Sequence, residues 1–253
     1  MARSQLSLTN ILEKYCGQFI HPVQISVWGC NNVCFTNLVI LGAQGSFYAV
    51  GVSGASNLLM ENCRVETATG NPSTSLGAAV SVGSRFENLE SRLTARNCQV
   101  RNTRNRGLLV YGRGANTAEK CCFSGSEGSN ISVEEGGAVE LHECECYGSR
   151  KEANLSVTGR GASALAAASS FNDSSTNVKV WAGGKVELRG CKCEKGKLGL
   201  LVSKFSSATA CSCCISSNQH NAEVTDGSHL ELHESQCNDS SNADSARLKV
   251  LNG

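Results

Sequence analysis

Cysteine is the residue of this sequence with the greatest capacity for chemistry, with 15 copies among 253 residues. Several copies are adjacent or one residue apart: Cys144 and Cys146, Cys191 and Cys193, and Cys211, Cys213 and Cys214. Thiols at this density suggest a metal site, but structural zinc sites typically use two Cys-x-x-Cys motifs, and the chain has no such pair. Cysteine is also a small hydrophobic residue that packs well in a narrow core. We therefore predict no metal and no cofactor, and two inward columns of thiols that fill the interior: Cys63, Cys98, Cys121, Cys144, Cys191 and Cys213 in one, and Cys146, Cys193 and Cys237 in the other.

Glutamate and histidine form a second set that could do chemistry. Glu140 and Glu231 each precede a histidine by two residues, His142 and His233, and Glu187 occupies the equivalent place in another part of the chain. A carboxylate beside an imidazole is a pair used in general acid–base catalysis. Charged residues at alternate positions are also typical of the solvated face of a strand. We interpret these residues as surface residues.

Aromatic side chains are the third set. Both tryptophans of the chain, Trp28 and Trp181, and one of its four tyrosines, Tyr111, directly follow a valine of the repeat described below. Aromatic rings on a rigid sheet can stack on sugars or anchor a protein partner. These three residues are therefore candidate binding residues, and the competing interpretation is that each ring covers a corner of the fold.

Arginine supplies the one local charge asymmetry. Residues 85–106 contain six arginines against two glutamates, and Arg113 follows closely. Guanidinium groups suit carboxylate, sulfate or phosphate ligands. The candidate binding residues of this stretch are Arg96, Arg101, Arg104, Arg106 and Arg113. A solvated loop is the alternative.

A recurring valine indicates which elements position these groups. It returns every 22 to 30 residues: Val27, Val52, Val82, Val110, Val133, Val157, Val180, Val202, Val224 and Val250. An apolar residue stands two positions before each, which is the period of a strand with alternate side chains inward. A unit this short cannot bury its own apolar face, so units must stack. The repeat predicts an all-β fold, a parallel β-helix solenoid of about ten coils, right-handed because parallel crossovers prefer that hand.

Asparagine stands three residues before the valine in four coils. Asn130 and Asn154 also begin glycosylation sequons, but Asn177 and Asn221 share their place in the repeat. The shared place favours a ladder of stacked asparagines over glycosylation.

The two ends differ. Residues 1–22 contain Ile11, Leu12, Tyr15 and Phe19 at helical spacing, which predicts a short N-terminal helix that caps the first coil. Residues 23–253 form the β-helix domain. No equivalent cap follows it, so a partner, another copy of the chain or further coils would cover that end.

The composition and net charge of the chain argue against some classes of partner. The net charge of +1 is too small to attract nucleic acid or an anionic membrane by long-range electrostatics. The chain contains no run of 18 apolar residues, so the sequence does not predict a membrane-spanning helix. Polar residues interrupt its first twenty residues, whereas a secretory signal has a continuous apolar segment there. An odd cysteine count without that signal favours free thiols and an intracellular location.

With its coils laid out in this way, the chain resembles the pectate-lyase-like right-handed β-helix superfamily. It is most similar to the carbohydrate-binding and sugar-hydrolase repeats, found also in certain F-box proteins that recognise substrates with the solenoid. The resemblance covers roughly residues 23–253 and rests on the pattern Val-x-x-Gly-Gly-x-Val-x-Leu-x-x-Cys, as in Val133 to Cys144. It implies the fold far more specifically than an activity.

Catalytic members of the superfamily carry motifs that are missing here. The strings Asn-Thr-Asp, Asp-Asp, Gly-His-Gly and Arg-Ile-Lys of similar polygalacturonases do not occur. Calcium-binding aspartate clusters mark pectate lyases, whereas the four aspartates here fall at expected turns. We predict a non-catalytic scaffold that binds a protein partner or a glycan on its lateral face, or joins a larger assembly. The alternative is a polysaccharide lyase or glycoside hydrolase with acids that these motifs do not identify.

Overall fold

Short parallel strands stacked in three sheets make up the fold. The computed structural model describes residues 24–42, 47–67, 77–84, 89–102, 105–237 and 248–250. Within these ranges each strand pairs in parallel with its counterpart about one coil away in the sequence. None of the described residues lies in a helix of the length and hydropathy needed to cross a bilayer.

The first sheet has ten strands: β1 (Ile25–Trp28), β4 (Tyr48–Ser53), β7 (Ala78–Val82), β10 (Arg106–Tyr111), β13 (Ile131–Glu134), β16 (Ala153–Thr158), β19 (Thr176–Trp181), β22 (Leu198–Ser203), β25 (His220–Val224) and β27 (Leu248–Val250). The second sheet has nine: β2 (Val33–Thr36), β5 (Asn57–Glu61), β8 (Arg92–Arg96), β11 (Ala115–Glu119), β14 (Ala138–His142), β17 (Ser163–Ala167), β20 (Lys185–Arg189), β23 (Ser207–Cys211) and β26 (His229–His233). The third sheet has eight: β3 (Val39–Gly42), β6 (Arg64–Thr67), β9 (Gln99–Asn102), β12 (Cys122–Ser124), β15 (Glu145–Tyr147), β18 (Ser170–Asn172), β21 (Lys192–Glu194) and β24 (Cys214–Ser216).

One strand from each sheet completes a coil, so the described residues contain eight complete coils, numbered here 1 to 8 from β1–β3 to β22–β24. A ninth coil contributes β25 and β26, and a tenth contributes β27. The prediction of about ten coils counted the valines and therefore included these two partial coils. The predicted cap over residues 1–22 lies outside the described residues.

The valine column predicted from the repeat is confirmed. All ten valines lie in register across the first sheet, each opposite the next. Val133, Val157 and Val180 are completely buried, and burying a valine side chain stabilises a fold by about 1.5–3 kcal/mol. Adjacent coils are about 4.8 Å apart, as in other sheets, so each coil shields its neighbours from water.

A single residue turns the corner from the second sheet to the third. It has φ between 49° and 59° in every coil, at Asn37, Asn62, Asn97, Lys120, Glu143, Ala168, Gly190, Ser212 and Glu234. This left-handed conformation is unfavourable for most residues. The N–H of the turning residue donates to a carbonyl of the next coil, as from Glu143 to Ala167 at 2.9 Å. The stack therefore stabilises each corner in turn.

The residue after this corner is a buried cysteine in six coils. The thiol of Cys144 donates to the carbonyls of Ala118 and His142 at 3.3 and 3.4 Å. In the ninth coil the hydroxyl of Ser235 makes the same two contacts, with Ala210 and His233, both at 3.0 Å. Thiol and hydroxyl are thus interchangeable donors here. The prediction that these thiols lie in the interior is confirmed.

The asparagine ladder is also confirmed and is fully buried, which leaves Asn130 and Asn154 inaccessible to glycosylation in the folded chain. The Nδ2 of Asn130 donates to Oδ1 of Asn154 at 2.8 Å, and Asn154 donates to Asn177 at 3.1 Å. In coil 8 the ladder position is Gly199, which has no side chain. The amide of Asn218 fills the gap and links Asn177 to Asn221 at 3.1 and 3.2 Å.

Candidate functional site

The arginine stretch is spread around the solenoid. Arg96 ends β8 on the second sheet, Arg101 lies in β9 on the third, and Arg106 begins β10 on the first. Arg113 lies in the turn after β10, and Arg104 lies outside the described residues. Because each coil contributes one strand to each of the three sheets, Arg96, Arg101 and Arg106 lie on three different sides of the solenoid. The stretch therefore does not form a single basic surface, contrary to the expectation from its composition.

Two of these arginines are engaged by glutamates. Arg96 contacts Glu61 and Glu119, on the preceding and the following coil, at 3.2 and 3.6 Å. Arg106 and Glu134 form a 3.0 Å pair with side chains only 17% and 11% exposed. All three ion pairs join neighbouring coils, so the two arginines have a structural role.

Arg101 differs from these two. Its guanidinium group lies 3.9 Å from the carboxylate of Glu66, which Arg64 already contacts at 2.6 Å. Half of the Arg101 side chain is exposed. Its guanidinium group therefore remains accessible to a ligand.

The three candidate aromatic residues do share one column but do not form one platform. Strand register puts Trp28 in coil 1, Tyr111 in coil 4 and Trp181 in coil 7, and steps of three coils separate them by about 14 Å each. Tyr111 is only 7% exposed and packs with Ala78 and Leu109. It therefore presents no ring face to a ligand. Trp28 is exposed, at 66%.

Trp181 is half-buried and lies close to two lysines. The Nζ atoms of Lys179 and Lys204 are 5.0 and 4.3 Å from the centre of its ring. Such cation–π contacts hold ammonium groups near an aromatic face. The ring thus positions cations at this corner.

A groove of about 700 Å³, here called the serine groove, follows the corner from the third sheet to the first. Arg101 and Tyr147 line it from strands of the third sheet, and Arg150 and Lys197 line it from the turns that follow such strands. Four serine residues also belong to the lining, Ser124, Ser149, Ser174 and Ser175. The first three are buried, and the hydroxyls of Ser149 and Ser174 donate to the carbonyls of Gly128 and Thr176. Asp173 is the only carboxylate among its lining residues in the described part of the chain.

Glycines form part of the floor of the serine groove. Gly125 and Gly148 adopt φ of 73° and 71°, and a Cβ at Gly125 would meet no atom within 4 Å. Any larger residue there would project into open space and fill the groove. The exposed Tyr147 ring stands beside this floor, with its hydroxyl 3.8 Å from the Cys122 thiol.

A second groove, here called the turn groove, follows the corner from the first sheet to the second over coils 6 to 9 and has a volume of about 1290 Å³. Glycine and alanine line much of it, with Arg160, Lys185 and Lys204 as its cations and Phe205 as its aromatic residue. Phe205 is 80% exposed. Neither Phe205 nor Tyr147 was a candidate from the sequence. The available signal for Phe205 was its place at a turn that has glycine in other coils.

The glutamates of the second sheet face solvent. Strand register separates Glu140 from Glu187, and Glu187 from Glu231, by two coils each. Each has a partner on its own strand, as between Glu187 and Arg189 at 2.6 Å. Two histidines flank Glu231, and the hydrogen bond from His229 lowers the pKa of its carboxyl group. These contacts favour the solvated-surface interpretation.

Metal-ligating groups do not converge in the described ranges. There, no set of three or more His, Cys, Asp and Glu side chains is arranged to hold a metal ion. His229 and His233 do not converge on one point, because their Nε2 atoms contact different oxygens of Glu231, Oε1 at 2.9 Å and Oε2 at 3.3 Å. Their ring nitrogens consequently point to different positions.

Comparison with known proteins gives one family. The family model described as a right handed beta helix region matches residues 23–149 and 86–247. No curated protein and no solved structure matches the chain.

Proposed function

The chain belongs to the right-handed β-helix family, and from this premise we propose that it is a non-catalytic scaffold that binds an acidic glycan in the serine groove. The observation that carries the proposal is that one open groove is lined by an exposed aromatic ring, Tyr147, and by two exposed arginines, Arg101 and Arg150.

The cations of the groove suit a chain with repeated negative charges. Arg101 belongs to coil 3, Arg150 follows the last strand of coil 5, and Lys197 follows the last strand of coil 7. A step of two coils corresponds to about 10 Å along the axis. An extended glycan lying along the groove would meet a cation at each step, and guanidinium groups bind carboxylates and sulfates with paired hydrogen bonds.

The neutral residues of the groove also suit a sugar. The ring of Tyr147 can stack on the apolar face of a pyranose, with a gain of about 1 kcal/mol typical of aromatic contacts. Serine hydroxyls donate and accept hydrogen bonds, and the half-buried Ser175 belongs to the lining. A ligand rich in hydroxyl groups would satisfy both.

The absence of a second carboxylate from the described lining supports binding without catalysis. Glycoside hydrolysis generally uses two carboxyl groups on opposite sides of the scissile bond, about 5–10 Å apart. Asp173 stands without such a partner in the groove.

Affinity electrophoresis through gels that contain polygalacturonate, heparin or neutral dextran tests the proposal. We expect the acidic glycans to retard the wild-type protein and dextran to leave it unaffected. Tyr147→Ala and Arg150→Ala should each weaken retention by about fivefold to tenfold, the equivalent of about 1–1.4 kcal/mol. Tyr147→Phe retains the ring and should stay close to wild type.

Arg189→Ala is the matched control for the charge, because Arg189 is an exposed arginine of the second sheet, outside the groove. Equal weakening by Arg189→Ala and Arg150→Ala would mean that net charge alone drives binding and would contradict the proposed site. New reducing ends or unsaturated uronate absorbance after incubation would instead support the catalytic alternative.

A further inference from the structure

Phe205 is in a strained conformation at a position where other coils have glycine. Its φ is 59°, in the left-handed region that is uncommon for a bulky side chain. The neighbouring coils have Gly183 and Gly227 at this place, with φ of 85° and 66°. A large apolar residue that is both strained and 80% exposed gives the fold no evident stability. Strain of this kind clusters at sites of function.

The surroundings of Phe205 leave most of its ring available. A Cβ on Gly227 would lie 3.0 Å from Cε1 of the ring, so the glycine of the next coil makes room for Phe205 on that side. Gly161, Ala162 and Ala182 continue the lining without bulky side chains. The result is an open apolar groove with one aromatic anchor.

Positive charge surrounds this apolar surface. Arg160, Lys185 and Lys204 line the groove, against the single carboxylate of Asp226 among the described lining residues. The hydroxyl of Ser203 donates to that carboxylate at 2.8 Å. Contact with the Trp181 ring holds Lys204 at the groove. The electrostatic complement of such a surface is an acidic ligand.

We propose that the turn groove docks an acidic segment of another protein, which packs an apolar side chain against Phe205 and places its carboxylates near Arg160, Lys185 and Lys204. A protein segment fits better than a glycan because the lining is mainly apolar. Apolar anchors ringed by charge are typical of protein interfaces. This site is at a different corner from the serine groove and is independent of the proposed glycan binding.

The test measures fluorescence anisotropy of labelled short peptides with either acidic or basic flanks around a central leucine, alanine or serine. We expect the wild-type protein to prefer acidic flanks with central leucine. Phe205→Gly should weaken binding of that peptide at least tenfold and also raise Tm by about 2–4 °C, the shift that corresponds to relief of modest strain in a chain of this size. Gain of stability with loss of binding is a signature that a structural role for Phe205 would not produce.

Charge variants complete the test. Lys204→Glu should weaken the same peptide about tenfold, whereas Lys120→Glu, at the corner between the second and third sheets, should leave its affinity unchanged. Equal binding of acidic and basic peptides, or unchanged binding by Phe205→Gly, would overturn the proposal. Loss of glycan retention or of self-association in Phe205→Gly would also overturn it, because a glycan or a second copy would then be the occupant.

Discussion

The asparagine ladder and the Phe205 turn both occupy corners of the coil, yet they follow opposite rules. The ladder repeats one residue type at one position and buries it completely, with each amide satisfied by the next coil. The turn breaks its local repeat, exposes an aromatic ring and puts it in an unfavourable conformation. In this solenoid, repetition marks residues that stabilise the stack. A break in repetition on the outside of the stack leaves the Phe205 side chain exposed, and it is there that we propose recognition.

The largest effect is expected where repetition is strictest. Val157→Asp would put a carboxylate into the completely buried valine column, where no partner is available to offset its desolvation. We expect a loss of more than about 4 kcal/mol in the free energy of unfolding, measured by urea denaturation followed by circular dichroism. Val157→Ala is the control for lost volume and should cost less than half as much. A normal denaturation midpoint for Val157→Asp would refute the inward orientation of the column.

A smaller loss is expected in the ladder. Asn154→Ala removes three hydrogen bonds of the buried ladder: the one that Asn154 accepts from Asn130 and the two that it donates to Asn177 and to the Asn172 carbonyl. This should lower the free energy of unfolding by about 2–3 kcal/mol. Asn31→Ala, an exposed asparagine, should change it by less than about 0.5 kcal/mol. Similar values for the two variants would remove the distinction between buried ladder and surface.

The smallest effect concerns pH and the interior thiols. Burial raises the pKa of the Cys146 and Cys193 thiols above their ordinary value of 9.0, so these groups stay protonated in the folded chain while they ionise in the unfolded one. Their contribution to stability is fully present below pH 9 and is lost as pH rises towards the folded pKa. Each thiol should lower the free energy of unfolding by up to about 1.4 kcal/mol per pH unit in that window.

Cys146→Val is the control for this pH dependence, because valine fills similar space without a titrating group. Urea denaturation at pH 8, 9 and 10 should show a shallower alkaline loss in this variant than in the wild type. Identical slopes would mean that Cys146 does not remain a protonated, buried thiol.

The interior of the fold could be predicted from the sequence because it repeats. The valine column, the inward cysteines and most of the asparagine ladder are periodic in the sequence, and the same physical environment returns in every coil. Asn218 was missed because it enters the ladder from a different position, in place of the side chain that Gly199 lacks.

The outer surface could be predicted much less well. Arg96, Arg101 and Arg106 are close in sequence but face three sheets, since spatial neighbours in this fold are about one coil apart in the sequence. Tyr111 shares a column with Trp28 and Trp181 but is buried. Conversely, Arg101, Tyr147 and Lys197 meet in one groove from coils 3, 5 and 7. A sequence pattern shows the column of a residue more readily than its accessibility.

The corner between the second and third sheets has a further consequence for how the chain tolerates change. Two residues separate the strands there in all eight complete coils, whereas the other two corners hold turns of varied length. An insertion at the short corner would move the following strand out of step with both neighbours and turn its interior face to water. Foreign loops can therefore be grafted only at the two corners of varied length. The constant length of the short corner keeps the strands of successive coils in register.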